Sequence, residues 1–167
     1  MNDMTRLDMT QARLTLVSFS LGEQRVAIPA GLLREVLEPL PVTRVPGAGA
    51  FAPCVVNVRG SVVPLADLGI VLGIPTGGEE HRKRIMVTEV EIDGDAALVA
   101  VCADAVHEVT SVARKDLLPV PSSMTAWPPE FIQGLYKSEH GFTILPDLVR
   151  IFSAMANKPS TFRNEER

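Results

Sequence analysis

The sequence predicts a mainly β fold in which two copies of one small β unit close into barrels, with a few short helices. Three observations point there. Short runs rich in Val, Leu and Ile recur along the chain, separated by Gly, Pro, Asn and Asp, which is the punctuation of strands joined by tight turns. Hydrophobic residues make up 46% of the 167 residues and charged ones 22%, so a core can form and the chain is too apolar for disorder. Five features also recur in order: Phe19-Ser-Leu-Gly22 with Val90 to Gly94, Glu35-Val36 with Glu108-Val109, Val45-Pro46 with Val120-Pro121, Phe51 with Phe131, and Leu65-Ala-Asp-Leu68 with Leu145-Pro-Asp-Leu148. Their offsets drift only from 71 to 80 residues, the mark of an internal repeat. A unit of roughly 70 residues is marginal alone. Two copies about a pseudo-twofold would share a core and leave a groove between them, and many short, regularly spaced strands favour closed barrels over a sandwich.

Taken in order, residues 1–13 read as a mobile tail. Residues 14–21 alternate as a strand, Gly22-Glu23 turns the chain, and 25–28 return. Pro29 is expected to open a short helix, with Leu32, Leu33, Val36 and Leu37 as its buried stripe and Arg34, Glu35 and Glu38 outside; Pro39 and Pro41 stop it. Residues 42–45 form a short strand and 46–49 a loop. In 55–68, Val55-Val56 and Val62-Val63 flank a polar interruption, Asn57-Val58-Arg59-Gly60-Ser61. A hairpin with Arg59 at its tip follows, with Asn and Gly as the residues that tolerate φ > 0. Pro64 should end the second strand or sit on an edge. Asp67 is placed to cap a helix over 68–72 that Gly73 terminates. Arg82-Lys83-Arg84 closes a glycine-rich connection and reads as a solvated loop. Residues 85–92 and 97–102 pair around Asp93-Gly94, a strong hairpin signal. The apolar segments 106–109, 117–120, 131–136 and 142–145 follow, then a short helix over 148–155 and a mobile polar tail over 156–167.

Several function classes are disfavoured. A formal charge of −4 and only 5% aromatic residues argue against nucleic acid or an anionic membrane as partner. No apolar run approaches the roughly 20 residues that span a bilayer, and the amino terminus lacks a signal-peptide core, so no membrane insertion and a cytoplasmic location are expected. Cys54 and Cys102 stand in apolar runs without metal or redox spacing, as small buried hydrophobes do. His81, His107 and His140 are scattered, there is no HExxH or GxSxG pattern, and Gly73 to Gly78 lacks the Lys-Ser/Thr of a phosphate loop. No catalytic residue, metal or cofactor is therefore assigned. An enzyme stays a lesser alternative, because a catalytic triad need not be contiguous.

Asn-Val-Arg-Gly followed by Val-Val-Pro-Leu-Ala-Asp-Leu, the opening Phe-Ser-Leu-Gly-Glu-Gln-Arg-Val-Ala-Ile, residues 41–53 and the closing run 141–152 together resemble the CheW family of bacterial chemotaxis adaptors. The likeness covers about residues 14–155. It implies two five-stranded SH3-like barrels, near 14–73 and 84–155, with strands free to interleave. It implies an adaptor that joins the cytoplasmic tip of methyl-accepting chemoreceptors to the regulatory domain of a CheA-type histidine kinase. Such a protein is a monomer in isolation, forms rings in arrays, and is recruited from the cytoplasm to inner-membrane receptor arrays. A scaffold for a non-flagellar pathway, with pilus or second-messenger output, is the alternative. The chain is too short to add a kinase domain or the receiver domain of CheV adaptors.

By that resemblance Asn57, Arg59 and Gly60 lie in the receptor groove, joined by Leu33 and Glu35, by Val42, and by Ile85 and Met86 from the second copy. The kinase-facing surface carries no signature. Cys54 and Ala100 stand where many members have glycine, which would fill the hairpin and groove floor. A receptor tip is a helical hairpin, so Arg59 would offer its fork to a carboxylate or helix-end carbonyls. Without the family likeness, Arg59 is an ordinary surface arginine, Glu35 a solvated carboxylate, and Val42, Ile85 and Met86 plain core. Asp67 and Asp147 are read as helix caps.

Overall fold

The computed structural model describes residues 12–75, 83–121 and 128–156; most of both predicted tails and of the glycine-rich connection lies outside them. Among the described residues, eleven strands and two α-helices follow in chain order: β1 (Arg13–Leu21), β2 (Gln24–Pro29), β3 (Leu33–Leu37), β4 (Val42–Arg44), β5 (Cys54–Val58), β6 (Ser61–Ala66), α1 (Leu68–Leu72), β7 (Arg84–Ile92), β8 (Asp95–Ala103), β9 (Ala105–Ala113), β10 (Ile132–Ser138), β11 (Gly141–Pro146) and α2 (Leu148–Ala156). They form a five-stranded sheet, β10-β11-β2-β1-β9, and a six-stranded sheet, β3-β7-β8-β6-β5-β4. The protein is mainly β with two β units and few helices, as the sequence predicts.

The two strand orders are the same order. Reading the second sheet from its far side gives β5-β6-β8-β7-β3 after β4, which matches β10-β11-β2-β1-β9 place for place. Each sheet thus takes the first hairpin of one repeat and the later strands of the other. Each sheet joins the repeats twice: in parallel, β11 with β2 (Ile144 opposite Val26) and β6 with β8 (Leu65 opposite Ala100), and antiparallel, β1 with β9 and β3 with β7. The repeat also shows in single hydrogen bonds. Asp67 N–H donates to the Phe51 carbonyl at 2.7 Å, and Asp147 N–H to the Phe131 carbonyl at 2.9 Å. Each aspartate then accepts at the start of a helix, from Gly69 N–H at 3.0 Å and from Arg150 N–H at 3.1 Å, as N-caps do. Gly73, at φ +70°, ends α1 in the left-handed conformation.

Three apolar clusters follow from this arrangement. Leu14, Leu16, Ala27, Tyr136 and Leu145 fill the five-stranded unit. Cys54, Val56, Val58, Val63, Leu65, Ile85, Val87 and Ala100 fill the six-stranded one, backed by Leu37 and Val42. Phe19, Val26 and Ile28 from one sheet meet Met86, Val90 and Val101 from the other in a shared core, which both helices cover with Leu68, Leu72, Leu148, Ile151 and Phe152. The segment that follows β9 is tied to β10 by Leu118 and Leu135, whose backbones exchange bonds of 2.8 and 2.9 Å. Gly134 permits this approach, since a Cβ there would stand 3.2 Å from the Leu118 carbonyl oxygen.

Three local expectations are corrected. Residues 33–37 form β3 and not a helix; only Ala30–Leu32 makes a 3-10 turn. Apolar residues at 32, 33, 36 and 37 suit a helical stripe, but β7 offers an antiparallel partner, with Val36 opposite Met86 and Leu37 opposite Ile85. The ladder outweighs the weak helix signal of a segment this short. Pro64 does not end its strand, because β6 runs on to Ala66. Counted out from a two-residue turn, its pair with Val55 falls at a position where β5 asks no backbone donor. Finally, Asn57 stays in the extended strand β5, and the left-handed turn residues are Arg59 and Gly60.

Candidate functional site

Val58 and Ser61 close the hairpin, leaving a two-residue turn. Arg59 at φ +53° and Gly60 at φ +88° make it a primed turn, whose twist suits the flanking strands. Asp93 and Gly94 repeat the same geometry at φ +54° and +87° between β7 and β8. Asp-Gly is an ordinary choice there. Arginine is not, since a long side chain pays a steric cost at positive φ that Asn, Asp or Gly largely avoids. Strain of this kind gathers where a side chain is wanted for its place. The Asn57 side chain stabilises the turn by accepting the Gly60 N–H at 2.8 Å.

Arg59 does not wave freely. Its Nη2 donates to Glu35 Oε1 at 2.5 Å and its Nε to Glu35 Oε2 at 3.3 Å, a two-pronged contact with the geometry of a guanidinium on a carboxylate. Glu35 stands on β3, at the opposite margin of the sheet from β5, so the six-stranded sheet curls until its hairpin tip meets its first strand. The arginine side chain is 72% exposed and the glutamate 28%. The hydrogen bond and charge of Glu35 raise the Arg59 pKa above its already high value, and the guanidinium stays charged at any physiological pH. Glu35 therefore orients the fork while the remaining donors face outward. Along the same β3–β7 edge, Arg34 pairs with Glu89 at 2.9 Å and Arg84 with Glu38 at 3.5 Å.

The other expected site residues divide. Gly60 and Asn57 are exposed at the tip, and Leu33 and Val42 are half-buried, packed against the shared core and the six-stranded core respectively. Ile85 and Met86 are not on a surface at all, with exposures of 1% and 0%. As neighbours on one strand they point to opposite faces, Ile85 into the six-stranded unit and Met86 into the shared core. Their expected place lining an accessible groove is thereby corrected. One surface residue went unread: Val62, directly opposite Asn57, is 73% exposed. The alternation Val62-out, Val63-in was visible in the hairpin pattern. The Arg59–Glu35 contact had no local signal, because 24 residues separate the partners.

Cys54 and Ala100 lie in one row, each opposite Leu65 on adjoining strands. Both point into the six-stranded core, so their extra atoms fill the interior and do not touch the Arg59 tip. Among the described residues, no group of three or more His, Cys, Asp or Glu could hold a metal ion, and no helix is long and apolar enough to cross a membrane.

Comparison with known proteins agrees with this geometry. A family model described as CheW-like domain matches residues 15–156. The Chemotaxis protein CheW of Rhizobium meliloti is 27% identical over 144 residues, covering 86% of this chain and 90% of that protein. Protein PilI of Pseudomonas aeruginosa is 28% identical over 134 residues, covering 77% and 70%. The crystal structure of scaffolding protein TtCheW from Thermoanaerobacter tengcongensis superposes with a TM-score of 0.71 at 28% identity, covering 89% of this chain and 97% of that one. Two sheets in a repeated strand order, an arginine-tipped hairpin and a family match over nearly the whole described chain lead to one conclusion: this chain belongs to the CheW-like domain family.

Proposed function

We propose that the chain is a non-enzymatic adaptor that couples transmembrane chemoreceptors to a CheA-type histidine kinase in signalling arrays. The working unit is residues 14–155, acting in the cytoplasm and gathered to the membrane by the receptors it binds. It is a monomer in isolation and joins the kinase regulatory domain in rings. The observation that carries this reading is Arg59, presented at a strained turn and steered by Glu35. A helical receptor tip laid against the hairpin would meet apolar area from Val62 and a fixed cation from Arg59, with Asn57 and Gly60 setting the turn and Leu33 and Val42 bracing it from behind. No bond is made or broken. The adaptor acts by holding receptor and kinase so that a receptor shift biases the kinase, which requires different contacts in the two signalling states.

Arg59→Glu is expected to abolish receptor-dependent kinase activation while leaving the circular dichroism spectrum intact. Swapping the charges, with Arg59→Glu and Glu35→Arg together, separates two roles. If Arg59 serves the receptor, the swap restores the ion pair and not activation. Full activation by the swapped protein would reduce Arg59 to a structural partner of Glu35. A second reading, service in a non-flagellar chemosensory pathway, is favoured by one observation: a similar protein, Protein PilI, does not carry a chemotaxis name. Recovery of receptor and kinase partners from the native cell would separate the two.

A further inference from the structure

The five-stranded sheet ends on β9 and β10. Between these two outer strands lies a cleft of about 600 Å³, lined by consecutive residues 110–113 on β9 and 136–138 on β10, with Glu139 and His140 from the turn that follows β10. Consecutive residues in a strand face opposite ways, so the cleft is bordered by strand edges, with their backbone donors and acceptors, and not by one sheet face. Among the described residues, β9 and β10 share no ladder; Leu118, which follows β9, makes a single bridge to Leu135 on β10. The strand β9 reads Ala-Val-His-Glu-Val-Thr-Ser-Val-Ala. It has neither the lysine nor the proline that edge strands use against unwanted pairing, and past its bulge at 107–108 it is regular through Ala113. Val109 on it is 63% exposed.

The repeat says what chemistry the cleft wants. Glu108 is the counterpart of Glu35, and the offset of 80 that relates Leu65 to Leu145 relates Arg59 to Glu139. In the six-stranded unit an arginine closes on a glutamate. In the five-stranded unit the two counterparts are both carboxylates and, with Asp116, border an open cleft; like charges do not close on one another. Of the cations on the rim, Arg13 donates to Ser111, at 2.8 Å to Oγ and 3.1 Å to the carbonyl oxygen, so an incoming strand displaces it from that edge acceptor; Lys137 also borders the space. We infer that this cleft accepts an extended segment of a partner protein, which adds a strand along β9 and sets a lysine or arginine between Glu108 and Glu139. This is a strand-addition site on the other barrel from the Arg59 hairpin, and it does not depend on the receptor reading.

The test uses the full chain, isotope-labelled, with acetylated eight-residue peptides of alternating threonine and lysine, a glutamate-for-lysine version, and a lysine version N-methylated at alternate backbone nitrogens. The lysine peptide is expected to shift the amides of 109–113 and 136–140. The glutamate version should bind about tenfold more weakly, and Glu139→Lys, at an exposed turn, should weaken the lysine peptide by a similar factor. The N-methylated peptide, which keeps the side chains and loses the ladder, should not bind. Equal binding by the N-methylated peptide, shifts at the Arg59 hairpin instead, or no binding at millimolar peptide would overturn the inference. So would amides of 109–113 already protected from exchange in the free protein, whether independently of concentration (the chain covers the edge itself) or only on concentration (a second copy does).

Discussion

Replacing Gly60 with alanine separates the backbone of the Arg59 turn from its side-chain contacts. A Cβ built on Gly60 meets nothing within 4 Å, so no clash contributes and the whole effect comes from holding φ at +88°. An L-residue in the left-handed region costs about 1–2 kcal/mol. The loss of unfolded-chain freedom on going from glycine to alanine offsets roughly 0.4–1 kcal/mol of that. A net destabilisation near ~1 kcal/mol follows, which at an m-value of roughly 2 kcal/mol per molar lowers the urea midpoint by about 0.5 M. Gly49→Ala is the control. Its Cβ also meets nothing within 4 Å, but its φ lies outside the left-handed region, so it should raise the midpoint slightly. Urea unfolding followed by circular dichroism reads both. If Gly60→Ala unfolds at or above the midpoint of Gly49→Ala, the turn is not held in the conformation described, and a strained, preset Arg59 cannot be the basis of recognition.

Two further outcomes test the division between surface and interior. Met86→Ala, at a position with 0% exposure, should cost about 2–5 kcal/mol, whereas Met86→Leu and Ile85→Val should keep receptor binding; binding lost from either conservative variant at unchanged stability would put those residues back at the contact. For pH, burial lowers the His107 pKa below 6.5 and Arg25 and His140 act the same way, against Glu108. The unfolded chain therefore binds a proton first as pH falls below 6.5, so stability present above that value is lost on acidification through the depressed native value. His107→Gln should flatten the stability–pH profile in that window, and an unchanged slope would refute the assignment.

How much of this was legible depends on the range of the interaction involved. Asp67 and Gly73 announce the ends of α1, and Asp93-Gly94 announces a hairpin, because caps and turns are satisfied within a few residues. The stretch 29–37 is a different case. Its apolar spacing serves a helix or a half-buried strand, and only the presence of β7 alongside decides between them. At Pro64 the residue type signals a strand end, but the neighbouring strand does not need the missing donor at that place and β6 runs on. Ile85 and Met86 were assigned to a groove by family likeness, and the core took both.

By itself the sequence determined that this protein is built of β-hairpins in two related copies, where each hairpin turns, and that an arginine would stand at the tip of one. Only the tertiary structure decided that each copy lends its first hairpin to the other's sheet, and that Glu35 comes to Arg59. The physical reason is that a backbone ladder reads the same whichever repeat supplies the strand, so pairing between distant segments leaves no local trace until the sheet closes.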